Sequence, residues 1–304
     1  MNRFTILLLA TTLALLGVME GVTDWGFDRT SKVQRLEVLQ RHVLLTTKDT
    51  PVVDDPHIAV LGNSLLLDGV DVPLLGEQLK PEASPVPYFV LATNYYDWIF
   101  GLKRLFAEGA QPRFVLLGLS PNQLASQDTR GDYSAQYLFQ RQDLMKVARL
   151  THMDATTASG FFLSSVSKFY STREITRSFV LSLTLPAVSD LLHRQAASFR
   201  DPEIPEMTLR GLAEERLKAL NELCQANGSQ FFLVIPPTYQ KGSDTIAAVG
   251  RELGIPVLVP VGDGVLDESF YQTDGVHLND KGAQFFTMQL AGVLKQELAR
   301  MSPN

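Results

Sequence analysis

Cysteine is nearly absent from this sequence: there is one, Cys224, in 304 residues. That excludes a disulfide framework and any cysteine-rich zinc module. Basic blocks are also missing. The chain carries 27 Lys and Arg against 33 Asp and Glu, for a net charge of −6, so no nucleic-acid partner is expected. Neither G-x-x-x-x-G-K-[ST] nor G-x-G-x-x-G occurs, so a nucleotide fold has no fingerprint, and H-E-x-x-H is absent too. His42, His57, His152 and His193 are scattered without ligand spacing, and neither a metal nor a cofactor is expected. Cys224 lies on the apolar side of a helical segment and reads as a small buried residue rather than a reactive thiol. The remaining composition, 45% apolar and 20% charged, is that of a globular chain.

The apolar surplus behind the mean hydropathy of +0.03 is concentrated at the start of the chain. Residues 4–19 (FTILLLATTLALLGVM) carry no charge; Arg3 precedes them, and Glu20, Asp24 and Asp28 follow. Positive charge stays on the cytoplasmic side, so the bulk of the chain is expected to be periplasmic or extracellular. A run of 16 residues is shorter than the usual span of about 20, yet longer than most signal-peptide cores. A retained membrane anchor and a cleaved signal both fit. The absence of a clean A-x-A site and the position of Trp25, suited to the outer interface, favour the anchor. Residues 1–22 are therefore read as the membrane segment and 23–55 as a juxtamembrane helix and linker. In that helix, over 29–48, Val33, Leu36, Leu39, Val43 and Leu44 share one side, and Pro51 and Pro56 break the chain after it.

From residue 56 onward, short apolar runs alternate with helical patterns. Strands are predicted at 57–61, 86–92, 113–117, 230–235 and 256–259, with helices at 95–108, 208–226, 245–253 and 281–300. Strands separated by helices predict an α/β domain, a three-layer sandwich around a parallel sheet of about five strands. Residues 128–207 lack a buried strand and are rich in Ser and Thr. They read as a helical insertion within a single domain spanning 56–304.

Two motifs carry chemistry. Gly62-Asn63-Ser64-Leu65 follows the first strand, where open α/β sheets build their sites. Ser64 would stand at a helix N-terminus, with an exposed hydroxyl and backbone N–H groups near it. On its own, such a serine is more often a helix cap. Asp274-Gly275-Val276-His277-Leu278-Asn279 precedes the last helix. The D-x-x-H spacing lets Asp274 hold the imidazole at Nδ1 and leaves Nε2 to take a nucleophile's proton. A parallel topology brings both motifs to the same edge of the sheet.

A serine block after strand one together with a C-terminal D-x-x-H block resembles the SGNH (GDSL-like) hydrolase superfamily, over residues 57–127 and 208–300. The resemblance implies an SGNH/flavodoxin-like fold and a Ser64–His277–Asp274 triad. Asn63 stands where that family usually has Asp. The family's oxyanion blocks are less well matched. Ala92-Thr93-Asn94-Tyr95 follows strand two, and Gly118-Leu119-Ser120-Pro121-Asn122 follows strand three, with Ser120 in the usual Asn position. Gly62, Asn63, Asn94, Ser120 and Asn122 are thus the expected oxyanion or substrate contacts. The L-S-P and D-G-x-H-L runs are similar to a membrane-anchored branch acting on envelope polysaccharide. The expected activity is esterase or O-acyltransferase chemistry on an acylated glycan or other ester, alongside an envelope-biosynthesis partner. The alternative is a non-catalytic SGNH-like glycan-binding or scaffold module.

Overall fold

The computed structural model describes residues 2–47, 56–184 and 203–301. Two helices come first, α1 (Arg3–Thr30) and α2 (Lys32–Thr46). Strands β1 (His57–Gly62), β2 (Ser84–Phe89), β3 (Phe114–Gly118), β4 (Gln230–Val234) and β5 (Val257–Leu258) pair in parallel in the order β2-β1-β3-β4-β5. Between them lie α3 (Ser64–Leu67), α4 (Val72–Leu79), α5 (Tyr95–Ala107) and α6 (Pro121–Ala125). The helical insertion contributes α7 (Asp132–Tyr137), α8 (Leu144–Leu150), α9 (Ala155–Ser164), α10 (Lys168–Ser171) and α11 (Arg173–Thr184). Residues 185–202 of the insertion and the expected linker at 48–55 lie outside the described residues. The chain continues with α12 (Glu206–Ala226) and α13 (Ser243–Leu253), and α14 (Asp280–Met301) closes the fold.

Successive side chains of a strand point to opposite faces, and β1 divides its apolar residues accordingly. Ala59 and Leu61 pack on the face covered by α5, α12, α13 and the insertion. Ile58 and Val60 pack on the face covered by α4 and α14, against Leu75, Leu79, Phe286 and Leu290. Both faces are buried, which is why these strands read as continuous apolar runs. The order reverses at β1, so the crevice between β1 and β3 at the carboxyl edge is the switch point of the sheet.

The edge strand β2 starts earlier than the sequence suggested, and two prolines explain the difference. Its even residues face β1: Ser84 N–H donates to Pro56 O and Val90 N–H to Gly62 O. The odd residues therefore point outward. At 85 and 87 they are prolines, which have no N–H to satisfy and are tolerated at such edges. At 89 and 91 the N–H groups donate to α2, Phe89 to Gln40 Oε1 at 2.9 Å and Leu91 to Glu37 Oε1 at 3.3 Å.

This pairing sets the polarity of α2. The helix buries Gln34, Glu37, Gln40 and Leu44, while Leu36, Leu39 and Val43 are exposed. It is docked along the sheet edge. Glu37 also accepts from Tyr133 Oη and from Arg130 Nη1, joining α2 to the start of the insertion. Leaving such a buried network half-paired costs about 3 kcal/mol. Glu37→Ala is therefore expected to lower the Tm of the full chain in detergent by roughly 5–10 °C, whereas Leu39→Ala on the exposed face leaves it nearly unchanged.

Candidate active site

Ser64 opens α3 directly after β1. Asn63 caps that turn, its Oδ1 accepting from Leu65 N–H at 3.0 Å. Its Nδ2 donates to Thr93 O at 2.9 Å, joining the β1–α3 turn to the β2–α5 loop. The backbone of Gly62 stays extended at the end of β1. The glycine is required by packing: a Cβ at Gly62 would lie 2.9 Å from Leu66 Cδ1, and one at Gly118 only 2.3 Å from the same atom. The two bare glycine faces let α3 settle onto the ends of β1 and β3, which fixes the height of Ser64.

His277 and Asp274 come from the opposite end of the chain. Their loop turns at Gly275, in the left-handed region at φ 70°, and is held from behind by Asn279. The Asn279 side chain donates to Ser269 O and Tyr271 O, each at 2.9 Å. Asp274 Oδ1 accepts the backbone N–H groups of Val276 and His277 at 2.9 and 3.0 Å. Its Oδ2 lies 2.6 Å from His277 Nδ1, and His277 Nε2 lies 2.9 Å from Ser64 Oγ. With the ring proton on Nδ1, Nε2 accepts from the serine hydroxyl. Burial pushes the Asp274 carboxyl up, but the hydrogen bonds from His277 and the two backbone N–H groups outweigh it, and its pKa falls below the ordinary value.

The structure brings Ser64, His277 and Asp274 into one hydrogen-bonded line, and the other expected contacts stand differently. Ser120 is buried as the cap of α6, in a reciprocal pair with Gln123. Asn94 caps α5, its N–H bound by Asp97 Oδ2 at 2.8 Å. Asn94 and Asn122 share a separate depression of 400 Å³ with Gln127 and Ile204. Among the described residues, none of Asn94, Ser120 and Asn122 hydrogen-bonds to a triad atom. The Ser64 N–H heads the first turn of α3 and has no protein acceptor among the described residues. A cleft of 690 Å³ opens on the Asp274 side, lined by Thr238, Tyr239, Tyr271, Gln272 and Thr273. No cluster of metal-ligating side chains occurs among the described residues.

The sequence reading missed several residues around the site. Asp68, one helical turn after Ser64, donates its N–H to Ser64 O at 3.0 Å. Burial raises its carboxyl pKa; the charge of His277 opposes that rise and the charge of Asp274 adds to it. The only sequence signal for Asp68 was its i+4 spacing from Ser64. Asp97 is fully buried and raised by burial to about 6, against the hydrogen bonds it accepts from Ser134 Oγ, Asn94 N–H and Arg130 N–H. The N-x-x-D spacing of Asn94 and Asp97 was its signal, as a capping box. Arg216, also buried, donates to Leu124 O and to Ser126 O and lies over the rings of Tyr95 and Tyr96. It neutralises the carbonyl end of α6.

The chain matches no protein-family model, and no curated protein matches it.

Two substitutions test the local physics. Asn63→Asp would point a carboxylate at Thr93 O in place of a donor. An unpaired buried acceptor costs about 1–3 kcal/mol, so stability should fall at neutral pH and return on acidification as the new carboxyl regains a proton to donate. Chemical denaturation at pH 7 and pH 4 would read this. Ala92 sits at φ 53°, where a Cβ costs about 1–2 kcal/mol. Ala92→Gly is therefore expected to be neutral or to raise stability by about 1 kcal/mol, measured in the same way.

Proposed function

We propose that this protein is a membrane-anchored serine acyl-transfer enzyme, an esterase or O-acyltransferase of the SGNH (GDSL-like) type acting on cell-envelope polysaccharide. The observation that carries this reading is the line from Asp274 Oδ2 through the His277 ring to Ser64 Oγ, with separations of 2.6 and 2.9 Å. Both are direct hydrogen-bond distances. The parallel sheet with its switch point beside Ser64 supports an SGNH/flavodoxin-like assignment. The helix α1, long and apolar enough to cross a membrane over Arg3–Gly26, supports a retained anchor. Arg3 before the apolar run, with Glu20 and Asp24 after it, supports a domain on the outer side.

In this reading Ser64 Oγ attacks the carbonyl carbon of the ester as His277 Nε2 takes its proton. Asp274, held ionised by its three hydrogen bonds, stabilises the imidazolium and keeps the ring oriented. The Ser64 N–H points to the developing oxyanion. Collapse of the tetrahedral intermediate breaks the bond to the leaving alkoxide, which leaves with the proton from His277, and an acyl-Ser64 remains. Water or a sugar hydroxyl then gives its proton to Nε2 and attacks the acyl carbon, releasing acid or transferred ester and restoring Ser64. The open cleft beside Asp274, lined by hydroxyl, amide and aromatic side chains, supports a sugar acceptor. The triad contains no thiol. Cys224 is buried and pushed up to about 12 by that burial.

A fluorophosphonate probe is expected to label the wild-type full chain, and Ser64→Ala is expected to abolish the label without loss of fold. Label retained in Ser64→Ala would refute the nucleophile assignment. A folded wild type that stays unlabelled while binding oligosaccharide would favour the non-catalytic module. Asp274→Asn should lower kcat about 10⁴-fold. Supplying an activated acetyl ester with and without oligosaccharide separates transfer from hydrolysis.

A further inference from the structure

Two attachments of α1 to the rest of the described residues lie at the same edge of the sheet as Ser64. The first is α2. Its residue 37 meets Leu91, just past the carboxyl end of β2, and its residue 40 meets Phe89, so α2 runs antiparallel to β2. The end of α2 nearest α1 therefore lies at the carboxyl end of the strand. The second is Glu20. Its carboxylate accepts from Ser167 Oγ at 2.8 Å and from the N–H groups of Lys168 and Phe169 at 2.5 and 3.1 Å, and Lys168 Nζ pairs with Asp24 at 2.9 Å. The helix α10 held in this way belongs to the insertion. In the same insertion, Ser134 of α7 bonds Asp97 in the first turn of α5, just beyond the carboxyl end of β2.

The length of the apolar run sets the depth. Residues 4–19 form a charge-free stretch of 16 residues, about 24 Å at 1.5 Å per residue, against a hydrocarbon core of about 30 Å. The run is no longer than the core, so Glu20, the first charge after it, is held close against the outer surface of the bilayer. Leu163 and Val166, immediately before the Ser167 that Glu20 holds, are 47% and 60% exposed, an apolar pair beside the same attachment.

We propose that the carboxyl edge of the sheet, with Ser64 and His277, faces the bilayer, and that the ester this site takes is held in the membrane surface and does not diffuse in from bulk water. The orientation rests on α1 being a retained anchor, and the substrate class rests on the acyl-transfer reading above. The two are tested separately. Full-length protein is reconstituted in phosphatidylcholine vesicles with single fluorescent labels at Thr273→Cys, beside the triad, or Glu82→Cys, at the amino edge before β2. Cys224 is buried and stays unlabelled. Nitroxide-bearing lipid should quench the label at 273 strongly and that at 82 weakly. Equal or reversed quenching, or loss of an N-terminal tag by cleavage, overturns the orientation whether or not the protein is active.

For the substrate, initial rates are compared on an acetylated diacylglycerol in the vesicles and on water-soluble p-nitrophenyl acetate. The variant combines Glu20→Gln with a flexible ten-residue insert at Ser31. It is expected to lose about tenfold on the vesicle ester, because the local concentration is lost, while keeping its rate on the soluble one. Unchanged vesicle turnover in that variant overturns the membrane-held substrate. Absence of turnover on either ester, with 273 quenched, leaves the orientation standing and refutes the acyl-transfer reading.

Discussion

The outward N–H groups of β2 govern much of what surrounds the sheet. An edge strand offers unpaired donors, and a buried donor without an acceptor costs more than most single contacts return. Prolines remove the problem at 85 and 87, and Gln40 and Glu37 answer it at 89 and 91. Because the acceptors must point inward, α2 turns Glu37 and Gln40 to the protein and Leu36 and Leu39 to the outside. Because Glu37 meets Leu91 and Gln40 meets Phe89, the direction of α2 is set as well. The path of the chain from α1 to the domain follows from those two hydrogen bonds.

The proposed catalytic line depends on a similar economy of backbone geometry. Ser64 is lowered to its position by two glycines that leave room for Leu66. His277 is aimed by a carboxylate three residues away on its own loop, and that loop is braced by Asn279. Neither half needs the other to take its shape, so the site assembles when parallel pairing brings the end of β1 to the loop before α14. Asn63 adds the remaining tie, to the loop after β2, and this explains an amide at a position where the resembling family usually has a carboxylate. With Thr93 O as its neighbour, the side chain must donate.

Much of this was legible in advance. The apolar strands announced themselves because both of their faces are buried. The D-x-x-H pair was readable because its geometry is local, needing only a turn at Gly275. The beginning of β2 was missed because Pro85 and Pro87 argue against a strand unless one knows that it is an edge strand and which way its N–H groups point. The polarity of α2 was not legible for the same reason. Periodicity identifies the apolar side of a helix, but a partner with open hydrogen-bond donors reverses which side is buried. Asp68, Asp97 and Arg216 gave weak signals, since their surroundings come from segments far apart in the chain.

The sequence by itself determined the apolar N-terminal helix, the α/β alternation and the two motifs, because each is written in residues adjacent or at a fixed period. Only the tertiary structure decided that Ser64 Oγ and His277 Nε2, 213 positions apart, lie within a hydrogen bond, and that Asn94, Ser120 and Asn122 are not hydrogen-bonded to that line. It also decided that α2 covers the edge of the sheet. Distances between remote segments depend on strand order and register, and those are set by the summed burial of two apolar faces, which no local pattern encodes.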